Sequence, residues 1–155
     1  MTAQRIGYED MEVGTTYEIG SHRFTRDEVV RFAGEFDPQP FHIDDAAAAA
    51  SPFGTLIASG WHTCSVMMGM LVRGPLANST SMGSPGIDEI RWLKPVRVGD
   101  TITMKNSILD KRVSESRPDR GIVSTQWDGI NQDGETVIIV RSKAIFGLRN
   151  PPTAA

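Results

Sequence analysis

The spacing of hydrophobic positions changes twice along the chain, and each change predicts a different kind of element. Residues 15–24 alternate between apolar and polar side chains, which predicts a first β-strand. The next apolar positions recur at helical spacing on one face and predict a helix: Val29, Val30, Phe32 and Ala33. After residue 86 the two-residue period returns and continues almost to the end. The pattern therefore predicts one early strand, a helical middle and a final run of strands.

Three helices are predicted in the middle of the chain from the signals at their ends. Thr25 followed by Glu28 forms a capping-box pattern, so the first helix starts there and must stop before Pro38. Asp44 is positioned to cap a short second helix, formed by the run DAAAAA. The third helix, residues 59–74, has little polar face beyond its first turn, which predicts that it is buried.

Four strands are predicted after a loop rich in glycine, serine and proline. They cover residues 87–96, 101–115, 121–132 and 135–147. Asp133-Gly134 is a tight-turn signal between the last two of them. Consecutive strands joined by short turns pair antiparallel, and with the earlier helices they give an α+β pattern. A sheet that must cover one apolar helix is expected to curl around that helix.

Length, cysteine content and the ends of the chain narrow the classes of protein that fit. The chain has 155 residues, 39% of them hydrophobic and 23% charged, which is typical of one globular domain. The single cysteine, Cys64, excludes an intrachain disulfide and fits a reducing compartment. The N-terminus lacks the pattern of a secretory signal, and no apolar run reaches the length of a membrane span. We therefore predict a cytoplasmic protein.

The charge of the chain gives no general reason to expect a nucleic-acid partner, because the net charge is −3. The charges are unevenly distributed, however. Residues 1–73 contain 5 basic and 10 acidic residues, whereas residues 74–155 contain 11 and 9. One interpretation is chance variation on a solvated surface. The other is that a polyanionic ligand is bound mainly by the second half of the chain.

The stretch FDPQPFH, residues 36–42, places an acid and a histidine five positions apart with two prolines between them. Fully extended, their backbones would lie about 16 Å apart at ~3.3 Å per residue, and the prolines oppose a continuous helix. The remaining possibility is a rigid, irregular turn that holds Asp37 and His42 on one side. A carboxylate and an imidazole at one point can activate water and relay protons. Alternatively, Asp37 bonds its own turn and His42 is a satisfied, partly buried histidine.

The stretch SGW, residues 59–61, begins the predicted buried helix. A helix start leaves free N–H groups and carries partial positive charge, and glycine lets a ligand approach the backbone closely. Such a helix start is therefore a candidate site for a carbonyl oxygen that becomes an enolate oxyanion. Ser59 is otherwise an ordinary cap, and Trp61 either restricts a pocket or packs in the core.

Other reactive side chains give weaker signals. His62 and Cys64 stand two positions apart on a helix and point in different directions, so a nucleophile pair is not expected. A zinc site formed by the three histidines and the cysteine lacks any recognised ligand spacing. Four methionines are predicted to lie in the core, with an apolar tunnel as the alternative: Met67, Met68, Met70 and Met82.

The stretch FDPQPFHID resembles the signature of the MaoC-like dehydratases and (R)-specific enoyl-CoA hydratases: aspartate, any residue, asparagine, proline, any residue, histidine. FGTLIASGWHT is similar to the family's entry into the central helix, and IDEIRWLKPVRVGDTI resembles the strand, bend and strand that follow. The resemblance covers about residues 10–148, so we predict one domain, 1–155, with that core. It implies a hot-dog fold, in which a curved antiparallel sheet wraps around a buried central helix.

The resemblance also implies an activity, the reversible syn hydration of a trans-2-enoyl-CoA to a (R)-3-hydroxyacyl-CoA in fatty acid metabolism. Asp37 would act as the base on water, and His42 would share that water and handle the proton at the α-carbon. The N–H of Gly60 would polarise the thioester carbonyl. Coenzyme A belongs to the substrate, so no cofactor or metal is expected, and its phosphates should meet arginine or lysine of the later strands. The family is usually a homodimer, and a higher homo-oligomer is also open.

Two departures and two alternatives accompany this hypothesis. Gln39 stands where the family has asparagine, which is expected to move a hydrogen bond or widen the turn; a serine of some bacterial members falls near Met68.

One alternative is a hot-dog acyl-CoA thioesterase, which commonly uses an acid on or near the central helix, but residues 59–73 contain none. The other is a non-catalytic acyl-thioester binding protein, which is expected to lack the acid or the histidine. The acyl group and the favoured direction stay open.

Overall fold

The structure, a computed structural model, describes residues 4–153, which form five strands and four α-helices. The strands are β1 (Thr16–Arg23), β2 (Gly86–Trp92), β3 (Thr101–Val113), β4 (Arg120–Ile130) and β5 (Thr136–Gly147). The helices are α1 (Arg26–Phe36), α2 (Pro40–Ile43), α3 (Asp45–Ala50) and α4 (Gly60–Arg73). Two short 3₁₀ turns, Tyr8–Asp10 and Pro75–Asn78, complete the described elements.

The five strands form one antiparallel sheet in the order β1-β3-β4-β5-β2. The hairpins β3–β4 and β4–β5 make its centre, whereas β1 and β2 are its edges. The predicted α+β class, with an early strand that joins a later antiparallel run, is therefore confirmed. β2 is the first strand after α4, yet it pairs with the last strand of the chain.

Helix α4 packs against the concave face of this curved sheet, where the main core lies. Thr63, Met67 and Leu71, four residues apart, form its buried face, together with Ile102 and Val140 from the strands. The opposite side of α4 is exposed in the single chain, with Met68 42% and Val72 49% accessible. The prediction of a helix buried nearly all round is therefore wrong for this second side, because the sheet covers one face only.

The helix starts follow the capping signals in the sequence. Thr25 and Glu28 form a complete capping box at the start of α1, and Asp44 accepts a 2.7 Å hydrogen bond from the Ala47 N–H at the start of α3. Helix α1 ends at Phe36, as Pro38 requires. These caps fix where α1 delivers the chain to the candidate site.

Strand β2 ends at Trp92, so the predicted strand 87–96 is too long. The N–H groups of Leu93 and Lys94 both donate to the carbonyl of Val137, at 2.8 and 3.2 Å, which interrupts the regular ladder. Pro95 then has no N–H with which to continue it. The chain leaves the sheet at this point and passes close to the start of α4.

The predicted domain limits, residues 1 and 155, lie outside the residues that the structure describes. Among residues 4–153, no helix combines the length and the apolar character needed to cross a membrane. The longest described helix, α4, has 14 residues.

Candidate active site

Asp37 and His42 lie side by side although five positions separate them in the sequence. Asp37 caps the end of α1, and Pro40, whose fixed φ suits the first position of a helix, begins the single turn α2. This turn brings His42 Nε2 to 3.2 Å from Asp37 Oδ2. The connection is thus one helical turn, which corrects the expected irregular turn, but it places the two side chains together as expected.

The other ring nitrogen of His42 determines which protons the pair can carry. Nδ1 lies 2.7 Å from the carbonyl oxygen of Ile57, and a carbonyl only accepts, so Nδ1 carries a proton. In the neutral ring Nε2 is then a bare acceptor that faces the oxygen of Asp37. The contact is favourable only with a proton between Nε2 and Oδ2. With a proton on Nε2 the ring would donate to Oδ2, so the geometry allows the pair to pass one proton between its two members.

Asp37 accepts further hydrogen bonds on both carboxylate oxygens. The Ser59 hydroxyl donates to Oδ2 at 2.8 Å, and the Gln39 amide donates to Oδ1 at 2.8 Å. Burial works to raise the pKa of Asp37, but the hydrogen bonds from Gln39 and Ser59 and the charge of His42 outweigh it. The pKa therefore lies below its ordinary value. Asp37 is ionised at neutral pH and can accept a proton.

Ser59 does not cap α4 in the ordinary way, which corrects the sequence-based expectation. It occupies the N-cap position and is fully buried, but its side chain makes no capping hydrogen bond and turns to Asp37 instead. The N–H of Gly60, at the first position of α4, has no acceptor within the helix. The start of α4 thus keeps uncapped donors and its partial positive charge beside the acid.

A pocket of about 380 Å³ brings most of the predicted site residues together. Asp37, Gln39, His42, Gly60 and Trp61 all line it. The remaining wall is mostly apolar and includes Phe53, Ile57, Leu93, Pro95, Val96 and Ile138. The pocket combines one acid, one histidine and a helix N-terminus with an apolar wall, which suits an apolar ligand that carries a reactive carbonyl.

Trp92 is a lining residue that the sequence analysis missed. It stands at the end of β2, and its indole lies against Gly60, so a Cβ at residue 60 would be 2.4 Å from Nε1. Its ring meets Trp61 edge to face, with centroids 5.4 Å apart. Trp61 is 57% exposed, so the alternative that it packs in the core is wrong. No local signal places Trp92 here, because the contact joins a strand end to a helix start.

The candidates that the sequence analysis set aside do not join the site. Burial raises the pKa of the Cys64 thiol to about 11, so it is not an activated nucleophile. His22 and His62 both contact Glu28, on the far end of α1 from Asp37. Within residues 4–153, no group of three histidine, cysteine or acidic side chains is arranged to hold a metal ion.

The four methionines have different surroundings. Met67 is fully buried and Met70 packs against the core, as predicted, whereas Met68 and Met82 are 42% and 49% exposed, so the core prediction is wrong for these two. Met68 lines a second, larger cavity of about 520 Å³ between α4 and the strands. Among the described residues, this cavity shares no lining residue with the pocket of Asp37.

The curved sheet, the central helix and the paired acid and histidine define a hot-dog domain with an acid–base site. The family model of the MaoC like domain matches residues 9–127, and the chain belongs to this family. Over 140 residues the chain is 31% identical to the 3-hydroxybutyryl-CoA dehydratase of Methylorubrum extorquens. That alignment covers 88% of this chain and 85% of the relative.

Two solved structures show the same fold over nearly their whole length. The MaoC-like dehydratase from Rhodospirillum rubrum is 39% identical and superposes with a TM-score of 0.83, covering 94% of this chain and 99% of that one. The (R)-hydratase from A. caviae, involved in PHA biosynthesis, is 27% identical with a TM-score of 0.70, covering 88% and 97%. The predicted hot-dog fold and the predicted family are both confirmed.

Proposed function

We propose that this chain is a hydro-lyase that adds water to a trans-2-enoyl-CoA to give a (R)-3-hydroxyacyl-CoA, or catalyses the reverse dehydration. The observation that carries the proposal is the contact of Asp37 Oδ2 with His42 Nε2 at 3.2 Å, while Nδ1 is held by Ile57. This arrangement supplies one group that accepts a proton and one that returns it. A family that includes a 3-hydroxybutyryl-CoA dehydratase supports the same chemistry.

Asp37 is the base in the hydration step. Its low pKa keeps it ionised at neutral pH, and His42 beside it carries the shared proton on Nε2. A water molecule held by both groups gives one proton to Asp37 as its oxygen bonds to the β-carbon of the enoyl thioester. The electron pair of the carbon–carbon double bond moves towards the thioester carbonyl, which becomes an enolate.

His42 completes the addition. The enolate collapses and its α-carbon takes the Nε2 proton of His42, which leaves a neutral ring beside a protonated Asp37. Oδ2 and Nε2 are 3.2 Å apart, so the proton moves from the acid to the ring and restores the starting state. Dehydration follows the same steps in reverse. The hydrogen bond from Nδ1 to Ile57 keeps the reacting nitrogen aimed at the pocket throughout.

Gly60 stabilises the enolate oxygen in this proposal. Its N–H belongs to the uncapped first turn of α4, and Gly60 lines the same pocket as Asp37 and His42. A donor of this kind is worth roughly 10²–10³ in rate where charge develops on oxygen. Trp92 packs against the Cα of Gly60 and limits how the first turn of α4 can move.

The substrate class and the location are part of the proposal. The apolar wall of the pocket suits an acyl chain, and coenzyme A enters as part of the substrate, so the proton transfers need no metal or redox cofactor. The phosphates of coenzyme A are expected to meet arginine or lysine from the later strands, in keeping with the 11 basic residues of the second half. A role in fatty acid metabolism in the cytoplasm fits these features.

The protein is proposed to act as a homodimer. β2 is an edge strand with unpaired backbone groups on its outer side, and Ile87 on it is 52% exposed. Further exposed apolar side chains lie at the end of β2, just after it and on α4: Trp92, Leu93, Trp61, Met68 and Val72. Exposed apolar side chains on an edge strand and on the uncovered side of a central helix support a surface that is covered in an assembly.

Hydration of crotonyl-CoA by the purified protein, with chiral analysis of the product, tests the proposal. The wild type should form the (R) alcohol, and Asp37→Asn and His42→Ala should each lose at least about 10²-fold in kcat, as expected when a positioned acid or base is removed. Asp45→Asn is the matched control, because Asp45 is an exposed acid on α3 that pairs with Arg26 outside the pocket. This control should keep the wild-type rate.

Other outcomes would assign one of the alternatives. Release of free coenzyme A with no hydroxyacyl product would indicate a thioesterase, although α4, Gly60–Arg73, contains no acidic residue. Tight binding of an enoyl-CoA without turnover of short, long or branched chains would indicate a binding protein. Either result from a folded protein would overturn the hydratase proposal.

A further inference from the structure

The carboxylate of Glu28 connects three elements of the fold outside the pocket of Asp37. Its Oε1 lies 2.5 Å from Nε2 of His22, at the end of β1, and 3.4 Å from Nε2 of His62, in the first turn of α4. Its Oε2 accepts hydrogen bonds from the backbone and hydroxyl of Thr25. The side chain of Glu28 is only 15% exposed. A capping residue therefore also links the start of α1 to the start of α4.

The ring of His62 is enclosed by aromatic side chains, and only one of its two nitrogens can carry a proton favourably. Its ring stacks on Phe32 with centroids 4.7 Å apart, and meets Phe24 edge to face at 5.0 Å. Nδ1 is buried and has no hydrogen-bond partner among the described residues, whereas Nε2 faces a carboxylate, which only accepts. The neutral ring with Nε2–H satisfies this arrangement. A proton on Nδ1 would be left buried without an acceptor.

The charges around this cluster favour the same state. Burial lowers the pKa of His62, and although Glu28 opposes this effect, the nearby charges of His22 and Arg31 add to it. Burial works to raise the pKa of Glu28, but hydrogen bonds from His22 and Thr25 outweigh it, so the carboxyl stays ionised. His22 on β1 and Arg31 on α1 are the charged groups that act on His62 besides Glu28. The contact therefore joins a neutral donor to a fixed anion.

The two helices joined by this contact carry the two halves of the proposed site. Asp37 follows α1 and caps its last turn, and α4 begins at Gly60, two residues before His62. The helices pack on each other. Glu28 lies in the first turn of α1 and contacts His62 in the first turn of α4. This contact fixes the orientation of the start of α4 relative to Asp37.

We propose that Glu28 and His62 are positioning residues for the hydration proposed above, on which this inference rests. His62 donates to Glu28 from Nε2 and so holds the first turn of α4, with the N–H of Gly60, in its working orientation beside Asp37. Neither side chain lines the pocket, so neither touches the substrate. Their effect reaches the reaction through the position of the enolate donor.

His62→Phe is the variant that tests this role, because phenylalanine keeps the aromatic contacts with Phe32 and Phe24 and removes the donor. We expect kcat to fall about tenfold, since the enolate donor acts mainly in the transition state, with KM within about twofold of the wild type. His62→Gln keeps an N–H that can reach Glu28. The fall in log kcat for this variant should therefore be at most half of the fall for His62→Phe.

Thr25→Ala is the matched control for stability. It removes the hydroxyl of the capping box and its hydrogen bond to Glu28, while the backbone N–H of Thr25 still donates to Glu28 Oε2 and the side chains of Glu28 and His62 are unchanged. The control should lower the unfolding midpoint at least as much as His62→Phe, yet keep kcat within about twofold. An equal fall of kcat in both variants would mean that helix stability, and not the contact, matters, and would overturn the proposal.

A spectroscopic measurement tests the contact without any activity. Nitrogen-15 spectra of the histidine rings should show His62 with a protonated Nε2 and a bare Nδ1, and His62→Phe should shift the amide resonance of Gly60. His62→Gln should return that resonance towards its wild-type position. If the wild type hydrates no enoyl-CoA, the proposed function fails, but this arm still decides whether the contact sets the start of α4. A Gly60 resonance that is unchanged in His62→Phe, or a proton on Nδ1, would overturn the inference.

Discussion

Trp92 lies against Gly60 so closely that a Cβ at residue 60 would stand 2.4 Å from the indole Nε1 and 2.5 Å from Cε2. An indole ring is rigid, and Trp92 also meets Trp61 edge to face, so it cannot yield as the end of a flexible side chain would. Two features therefore explain the glycine at residue 60. It allows a ligand to approach the helix start, and it leaves room for the strand end that forms the wall of the pocket.

Gly60→Ala should damage both the fold around α4 and the proposed reaction. The added methyl must displace Trp92 or the first turn of α4, which we expect to cost about 1–3 kcal/mol of unfolding free energy. Displacing the enolate donor should lower kcat by roughly 10²-fold. Denaturant unfolding and hydration kinetics of the same preparation measure the two effects.

Trp92→Ala provides the control for this steric explanation. In that background the three atoms nearest to the added methyl group are gone, so Gly60→Ala should cost less than half of the unfolding free energy that it costs in the wild type. Additive costs in the double variant would show that the contact between residues 60 and 92 is not the cause.

Ser59→Ala should move the acid limb of the pH profile to higher pH. The Ser59 hydroxyl donates to Asp37 Oδ2 at 2.8 Å and helps to hold the pKa of that carboxyl below its ordinary value. Without this donor the pKa of Asp37 rises, so kcat/KM should begin to fall at a higher pH than in the wild type. Loss of a buried donor to a charged group should also cost about 1–3 kcal/mol of stability.

Ser59→Thr keeps the hydroxyl and is the control for this shift, provided that the variant folds. Its acid limb should stay close to that of the wild type. An acid limb that does not move in Ser59→Ala would mean that the kinetic pKa belongs to a group other than Asp37.

The parts of the fold that the sequence predicts well depend on interactions between residues near in sequence. The capping box of Thr25 and Glu28 and the end of α1 before Pro38 follow from backbone hydrogen bonding and from the geometry of proline. The proximity of Asp37 and His42 is also predictable from nearby residues, because a single helical turn that starts at Pro40 is enough to produce it. The separate catalytic roles proposed for these two residues rest on the resemblance to a family.

The parts that the sequence does not predict depend on contacts distant in sequence. Trp92 reaches Gly60 only because β2 crosses to the sheet edge beside β5, and β2 ends early because two N–H groups share the Val137 carbonyl. In the sequence Ser59 is predicted to cap a helix, but its hydroxyl donates a hydrogen bond to Asp37, an acid 22 positions away. Pattern and propensity carry no information about such pairings.

The stability of the protein should depend on the charge of Asp37 in a defined pH range. The pKa of Asp37 in the folded chain lies below its ordinary value of 3.8, so ionisation stabilises the fold at pH values above 3.8. This contribution is lost as the pH falls through the lower, folded-state pKa. The difference in unfolding free energy between wild type and Asp37→Asn should therefore be largest near pH 7 and shrink towards pH 3.

Glu12→Gln serves as the control for the general effect of removing a negative charge, because Glu12 is exposed near the N-terminus. Its effect on stability should change less over the same pH range, as measured by urea unfolding at each pH. A difference for Asp37→Asn that grows as the pH falls would contradict the low folded-state pKa.

Cys64 should be unreactive and dispensable for catalysis. Burial raises the pKa of its thiol to about 11, so about one molecule in 10⁴ carries a thiolate at pH 7. Alkylation by iodoacetamide should be at least about tenfold slower in the folded protein than in urea, and Cys64→Ala should keep kcat within about threefold. Rapid labelling of the folded protein, together with loss of activity in Cys64→Ala, would point to a nucleophile that the hydratase proposal does not contain.

The edge strand β2 should be required for assembly if the protein is a homodimer. Ile87 on β2 is 52% exposed, and a charged side chain on an edge strand opposes pairing with another strand. Light scattering during gel filtration should give the wild type twice the chain mass of 17.0 kDa. Ile87→Lys should give the mass of one chain, and it should remain folded by circular dichroism.

Leu109→Lys is the matched control for the loss of the dimer. Leu109 is 47% exposed, but it lies on β3, between β1 and β4 and away from the β2 edge, so the same change of side chain there should leave the dimer intact. If both variants become monomers, a general effect of the added charge explains the result and β2 has no special part. A wild type with the mass of a single chain at micromolar concentration would remove the dimer from the proposal. The exposed apolar side chains of β2 and α4 would then need a different explanation.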